Sequence, residues 1–174
     1  GTFNVTGTFT PTSGTITMNT GSTISNAGTL TFSNLTVPDA ASVTGSGSFA
    51  VAGTMTVGPT AAATFTPAAA DVISGAGTLT GSGTVIVNRT AATADFNSQY
   101  TITTKTLTNL TVDYAATGQV LSDLTYSTLK VSGSITGAGN SATVTGIFNI
   151  TGTFTPSSGT ITMNTGSTIS NAGT

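Results

Sequence analysis

The sixteen residues GTITMNTGSTISNAGT fill Gly14–Thr29 and return unchanged at Gly159–Thr174. Extended backwards, the match pairs Gly1–Thr29 with Gly146–Thr174, and 26 of 29 positions agree, the exceptions being Thr2/Ile147, Val5/Ile150 and Thr12/Ser157. The offset is 146 − 1 = 145 residues. All three exchanges keep a residue suited to a strand or a turn. Any fold for this chain must therefore let a 145-residue unit hand over directly to a copy of itself. The expected division is one complete unit at 1–145 and the start of the next at 146–174, within a longer tandem array. The rung after Thr174 is then supplied by a further copy, in the same chain or a neighbouring one.

Inside the unit, apolar residues alternate with Thr or Ser in short runs such as FNVTGTFTP from Phe3, TITMN from Thr15, FAVAGTMTV from Phe49 and TVIV from Thr84. A period of two marks strands with one buried face. Clusters such as PTSG, NTGS, SNAG, TGSGS and GAGNS punctuate the runs, and their Gly, Asn and Pro favour turns. No ten-residue stretch carries a 3.6-residue apolar period, so no helix is expected.

A finer repetition lies within the first. ISNAGTLTFSN at Ile24–Asn34 and ISGAGTLTGSG at Ile73–Gly83 share eight of eleven positions, and ITGAGN at Ile135–Asn140 echoes their start. These starts fall at 24, 73, 135 and 169, so the successive intervals are 73 − 24 = 49, 135 − 73 = 62 and 169 − 135 = 34. They divide into two, three and two rungs of roughly 17–25 residues, about seven per unit. The fold class expected is all-β, a β-solenoid (β-helix) of roughly seven rungs per 145-residue unit. Phe3, Val5, Phe9, Ile16, Met18, Ile24, Leu30, Phe32, Phe49 and Val51 would begin its core column. The structural alternative is a string of tandem β-sandwich domains, which shows similar short strands and turns.

Composition narrows the chemistry. The chain holds 43 Thr and 19 Ser but only eight charged residues, and it has no His, Glu, Cys or Trp. With Arg89, Lys105 and Lys130 as its only cations, it offers no patch for nucleic acid, whose binding rests on phosphate neutralisation. No apolar run approaches a transmembrane length. Without Cys there are no disulfides or thiolate metal sites, so stability must come from packing and backbone hydrogen bonds.

The acids are Asp39, Asp71, Asp95, Asp113 and Asp123, each alone beside a turn signal. Glycoside hydrolysis needs two carboxylates at a set separation, and general acid–base work has few candidate groups here. No D-x-D-x-D-G calcium pattern and no phosphate-loop G-K-S/T occurs. The expectation is no enzyme, no cofactor and no metal. Five N-x-T sequons, at Asn4, Asn34, Asn88, Asn109 and Asn149, are candidate glycosylation sites, although eleven Asn in so hydroxyl-rich a chain would give several by chance. Lys105 and Lys130 lie in Thr-rich runs where an exposed Lys ordinarily discourages edge pairing, and isopeptide bonds from them to Asn, with Asp113 or Asp123 as the assisting acid, are the minor alternative.

GTLTFSNLTV, VTGSGSFAVAGTMTV and GTLTGSGTVIVN resemble the β-strand-repeat and filamentous-haemagglutinin-like regions of very large bacterial surface and secreted proteins. The resemblance spans most of the chain and rests on Thr/Gly-rich strand patterning, with no invariant chemical residue. It implies a secreted, repetitive, rod-like stalk or fibre at the cell surface, often adhesive, and carries over no catalytic residue.

The functional expectation is a structural, non-enzymatic repeat of an extracellular fibre, stalk or sheath. Its partner would be itself, end to end or as tandem repeats of one chain. An adhesin stalk or glycan-binding surface is the alternative. An ice-binding solenoid ranks below both: T-x-T recurs as TFT, TIT, TLT and TMT, but at irregular spacings along the chain.

Overall fold

A computed structural model of the chain describes residues 1–90, 94–136 and 140–174. Among these residues every strand pairs in parallel with the strand one turn away, and the chain winds into a β-solenoid of about eight turns. Parallel pairing on all sides overturns the β-sandwich alternative, whose sheets are antiparallel.

Each turn visits three faces. The first face runs Thr2–Val5, Ser22–Asn26, Ser42–Ser46, Thr64–Pro67, Thr84–Val87 and Thr111–Tyr114, then continues through the long strands Thr125–Val131 and Ala142–Ile150 to Thr168–Asn171. The second carries Thr8–Phe9, Thr29–Phe32, Phe49–Val51 and Ile73–Ser74, and later Ser134–Ile135 and Thr153–Phe154. The third carries Thr15–Thr17, Asn34–Val37, Thr54–Val57, Thr78–Gly81 and Thr104–Lys105. Beyond these it uses the first halves of the two long strands, around 125 and 143, and Ile161–Met163.

Alternation turns one residue in two inward. On the third face Leu35 stands beside Met55, and Met55 beside Leu79, all fully buried. A file of rings joins the first and second faces, with Phe32–Phe49 at 5.3 Å and Phe49–Phe65 at 5.9 Å, both edge-to-face. Each such side chain contributes roughly 1.5–3 kcal/mol when fully buried. All ten residues expected to begin the core either lie in it or pack against it.

The copied segment repeats the first unit's geometry. Thr2 pairs with Thr23 and Ile147 with Thr168, the same step along the chain in both copies (23 − 2 = 168 − 147). Phe3 meets Phe9 at 5.2 Å and 78°, while Phe148 meets Phe154 at 5.0 Å and 85°. Seven turns separate the two copies on the first face, the number expected per unit.

Three expectations need correction. Turn length varies more than the intervals between echoes suggest. Asp113 meets Lys130 at the short end of the expected range (130 − 113 = 17), but Ile86 meets Asp113 beyond its long end (113 − 86 = 27). The echoed I-S-x-A-G passages do not share a phase, because Ile24 lies on the first face and Ile73 on the second. The motif encodes a strand–corner–strand step that different corners reuse. The echo at 135–140 has residues 137–139 outside the described set.

Third, the long turn contains one helical turn, Phe96–Gln99. Asp95 caps it by accepting from Ser98 N at 2.8 Å, while Ser98 Oγ accepts from Asp95 N at 3.0 Å, a reciprocal capping box. A single helical turn is too short to display a 3.6-residue period. Where the extra residues break the ladder, two fully buried glutamines bridge it. Gln99 Oε1 accepts from Asn88 N at 2.6 Å and its Nε2 donates to Ala68 O at 3.0 Å. Gln119 Nε2 donates to Val87 O at 2.9 Å.

Candidate functional site

The carboxylates are brackets between turns. Asp39 accepts from Thr60 N at 3.0 Å, from Ala61 N at 2.9 Å and from the Thr60 hydroxyl, and that hydroxyl, then the N–H groups, hold its carboxyl below the usual range. Asp71 accepts from Gly47 N at 2.9 Å and Ala68 N at 3.1 Å. Asp95 holds the helix cap and accepts from Ser122 Oγ at 2.7 Å. Asp113 accepts from Ser132 Oγ at 2.7 Å and pairs with Lys130 Nζ at 2.8 Å. Asp123 is exposed. Four of the five acids thus spend lone pairs on this chain's own groups, which is turn and ladder chemistry.

Lys130 has Asp113 and Asn149 as its register neighbours on the preceding and following turns. The arrangement gathers a lysine, an acid and an amide in one column, and the contact it makes is an ion pair. Lys105 occupies the inward position beside Leu79, where burial pushes its ammonium pKa down, partly offset by Asp95.

The five candidate glycosylation asparagines separate by what their amides already do. Asn34 Nδ2 donates to Gly14 O at 3.2 Å and Asn88 Nδ2 to Pro67 O at 3.1 Å, so glycan attachment at either would disturb a ladder contact. Asn4 and Asn109 are exposed, and Asn149 is half-buried. A shallow open groove of about 270 Å³ crosses the second face, lined by Asn26, Thr29, Thr31, Ser48, Phe49 and Ser74. No helix among the described residues is long and apolar enough to cross a membrane.

One ordered surface feature is concealed by chain order. Outward positions on the third face align turn on turn: Thr17 beside Thr36, Thr36 beside Thr56, Thr56 beside Thr80. Two residues earlier, Thr54 stands beside Thr78 and Thr78 beside Thr104. The T-x-T triplets that look irregular in sequence are in register here, because only the corner lengths vary. The first face is less ordered. It carries two shorter files: Thr64, Thr84, Thr111 and Thr128, which ends at Ile147, and beside it Thr2, Thr23, Thr44 and Thr66, whose column goes on through Ile86, Asp113 and Lys130.

No family model matches the chain, and searches of curated proteins and of solved structures likewise return no match. Function has to be read from the solenoid and its faces.

Proposed function

We propose that this chain is a structural, non-enzymatic repeat of a rod, serving as part of an extracellular fibre, stalk or sheath. One observation carries the reading: after seven turns the sequence and the strand pairing both return to their starting phase, so a copy joins the stack without a break in the ladder. A unit with that property extends along one axis by simple repetition. At about 4.8 Å per turn, seven turns advance the rod by roughly 34 Å. The hydroxyl-covered, nearly uncharged exterior and the resemblance to bacterial β-strand-repeat proteins favour a secreted, cell-surface setting.

The test is a length series. Proteins of one, two and three complete units are expected to lengthen by about 34 Å per unit at constant cross-section in small-angle scattering. Constant-width rods in electron micrographs would agree with this. A beaded profile, or an increment matching separate globules, would refute the rod.

A further inference from the structure

The third face carries more than a rod requires. The column Thr17, Thr36, Thr56, Thr80 continues past the long turn, since Thr78 pairs with Thr104 and Thr106 N donates to Leu79 O at 2.9 Å, setting Thr106 beside Thr80. Ser127 N donates to Leu107 O at 3.3 Å, which places Thr125 beside Thr106. Thr125 then pairs with Thr143, and Thr143 with Thr162. The column is threonine on eight successive turns, and its first and last members are one full unit apart (162 − 17 = 145). At the companion positions, two residues earlier in the chain, five of eight are Thr, and Asn34, Asp123 and Ser141 fill the others, with Asp123, Ser141 and Thr160 lying just before their strands.

Three properties of this two-column grid point to a ligand class. First, it is regular in two dimensions: neighbours are about 4.8 Å apart along the rod and roughly 6.7 Å apart across it. β-Branching restricts χ1 in strands, so the hydroxyl and methyl of each Thr hold their places. Second, among the described residues none of the thirteen grid threonines uses its hydroxyl in a hydrogen bond within the molecule. Threonine hydroxyls that do so sit elsewhere, as Thr23 with Thr44 at 3.0 Å or Thr145 with Tyr126 O at 3.1 Å. The grid hydroxyls therefore keep their bonding capacity for what lies outside. Third, the grid has one charge, Asp123, and no aromatic ring.

A charged membrane or a nucleic acid is gripped by cations, and a sugar lattice by stacking on aromatic rings. This grid has neither. A rigid array of hydroxyls alternating with methyls, with a single charge at one position, suits a lattice of water, each hydroxyl anchoring one molecule and each methyl excluding the disordered ones between. We propose that the third face binds ice. Individually weak contacts add because the rod presents them at fixed spacing to a periodic surface. The first face is the built-in control, since each of its two threonine files lasts only four turns, one giving way to Ile86 and the Asp113–Lys130 pair and the other to Ile147, and the Thr23 and Thr44 hydroxyls there bond to each other.

The experiment measures thermal hysteresis and inhibition of ice recrystallisation by the purified 174-residue chain. The expected result is a gap between melting and freezing points with faceted crystals. The double variant T56K/T80K, in the middle of the grid, should lose activity about tenfold, the effect of about 1.4 kcal/mol. Thr84→Lys on the first face should leave activity unchanged, and circular dichroism should show both variants folded. A folded wild-type chain without hysteresis or recrystallisation inhibition would overturn the proposal. So would equal loss in both variants, or binding to crystalline cellulose or chitin with no effect on ice.

Discussion

At the scale of single residues, the tightest demands fall on corner glycines rather than on the core. A turn of parallel strands brings corner backbones of successive turns into contact, and a side chain there has nowhere to go. A Cβ on Gly77 would overlap the carbonyl oxygen of Gly53 and crowd that of Val51, while one on Gly152 would overlap that of Gly133. Gly7 is different: a Cβ there meets nothing within 4 Å. Replacing Gly77 with Ala should therefore lower unfolding free energy by about 2 kcal/mol or more, because backbone must shift on two turns at once. Gly7→Ala should stay within about 0.5 kcal/mol of wild type. Urea denaturation of the two variants side by side checks this, and equal stability would contradict the corner argument.

Elements show which parts of this molecule the sequence discloses. Period-two alternation identifies strands, and the 145-residue repeat with its echoes yields seven turns, because both signals follow directly from stacking. Phase is hidden, since the same I-S-x-A-G step serves the corner after Ile24 on one face and after Ile73 on another. The threonine grid is hidden for a related reason: its members lie a whole turn apart along the chain, turns differ in length, and only strand pairing reveals that they align. The long turn between Ile86 and Asp113 is hidden because side chains stand in for the ladder. Gln99 alone bridges Asn88 N and Arg89 N to Ala68 O. Gln99→Leu, of similar volume, should cost about 2–4 kcal/mol by orphaning the two N–H groups. It should also speed amide exchange at Asn88 and Arg89 while leaving turns one to three protected. Exchange that rises uniformly along the rod would mean that the glutamine has no local bridging role.

For the whole molecule, scarcity of charge sets the response to pH. With five carboxylates and two lysines, few groups titrate outside neutrality and self-repulsion stays small. The three tyrosines are the exception, since Tyr100, Tyr114 and Tyr126 are the only ones in the chain and all are buried. Burial raises the pKa of each, well above the ordinary value of 10.0 for Tyr100 and Tyr126. Tyr114 and Tyr126 also share a hydroxyl contact at 3.0 Å, beside Ser122, whose N–H donates to Tyr114 Oη at 3.0 Å. A group whose folded pKa lies above its unfolded value contributes stability that is complete below the unfolded value and lost as pH rises through the folded one. The solenoid should therefore keep its stability up to about pH 10 and lose it above. Followed by ultraviolet absorbance, tyrosinate should stay low through the range where free tyrosine ionises, then rise in one step together with loss of the β-sheet circular dichroism. A gradual rise centred near pH 10 with the dichroism intact would show the rings titrating in the folded state, and would contradict a closed core in turns five to seven.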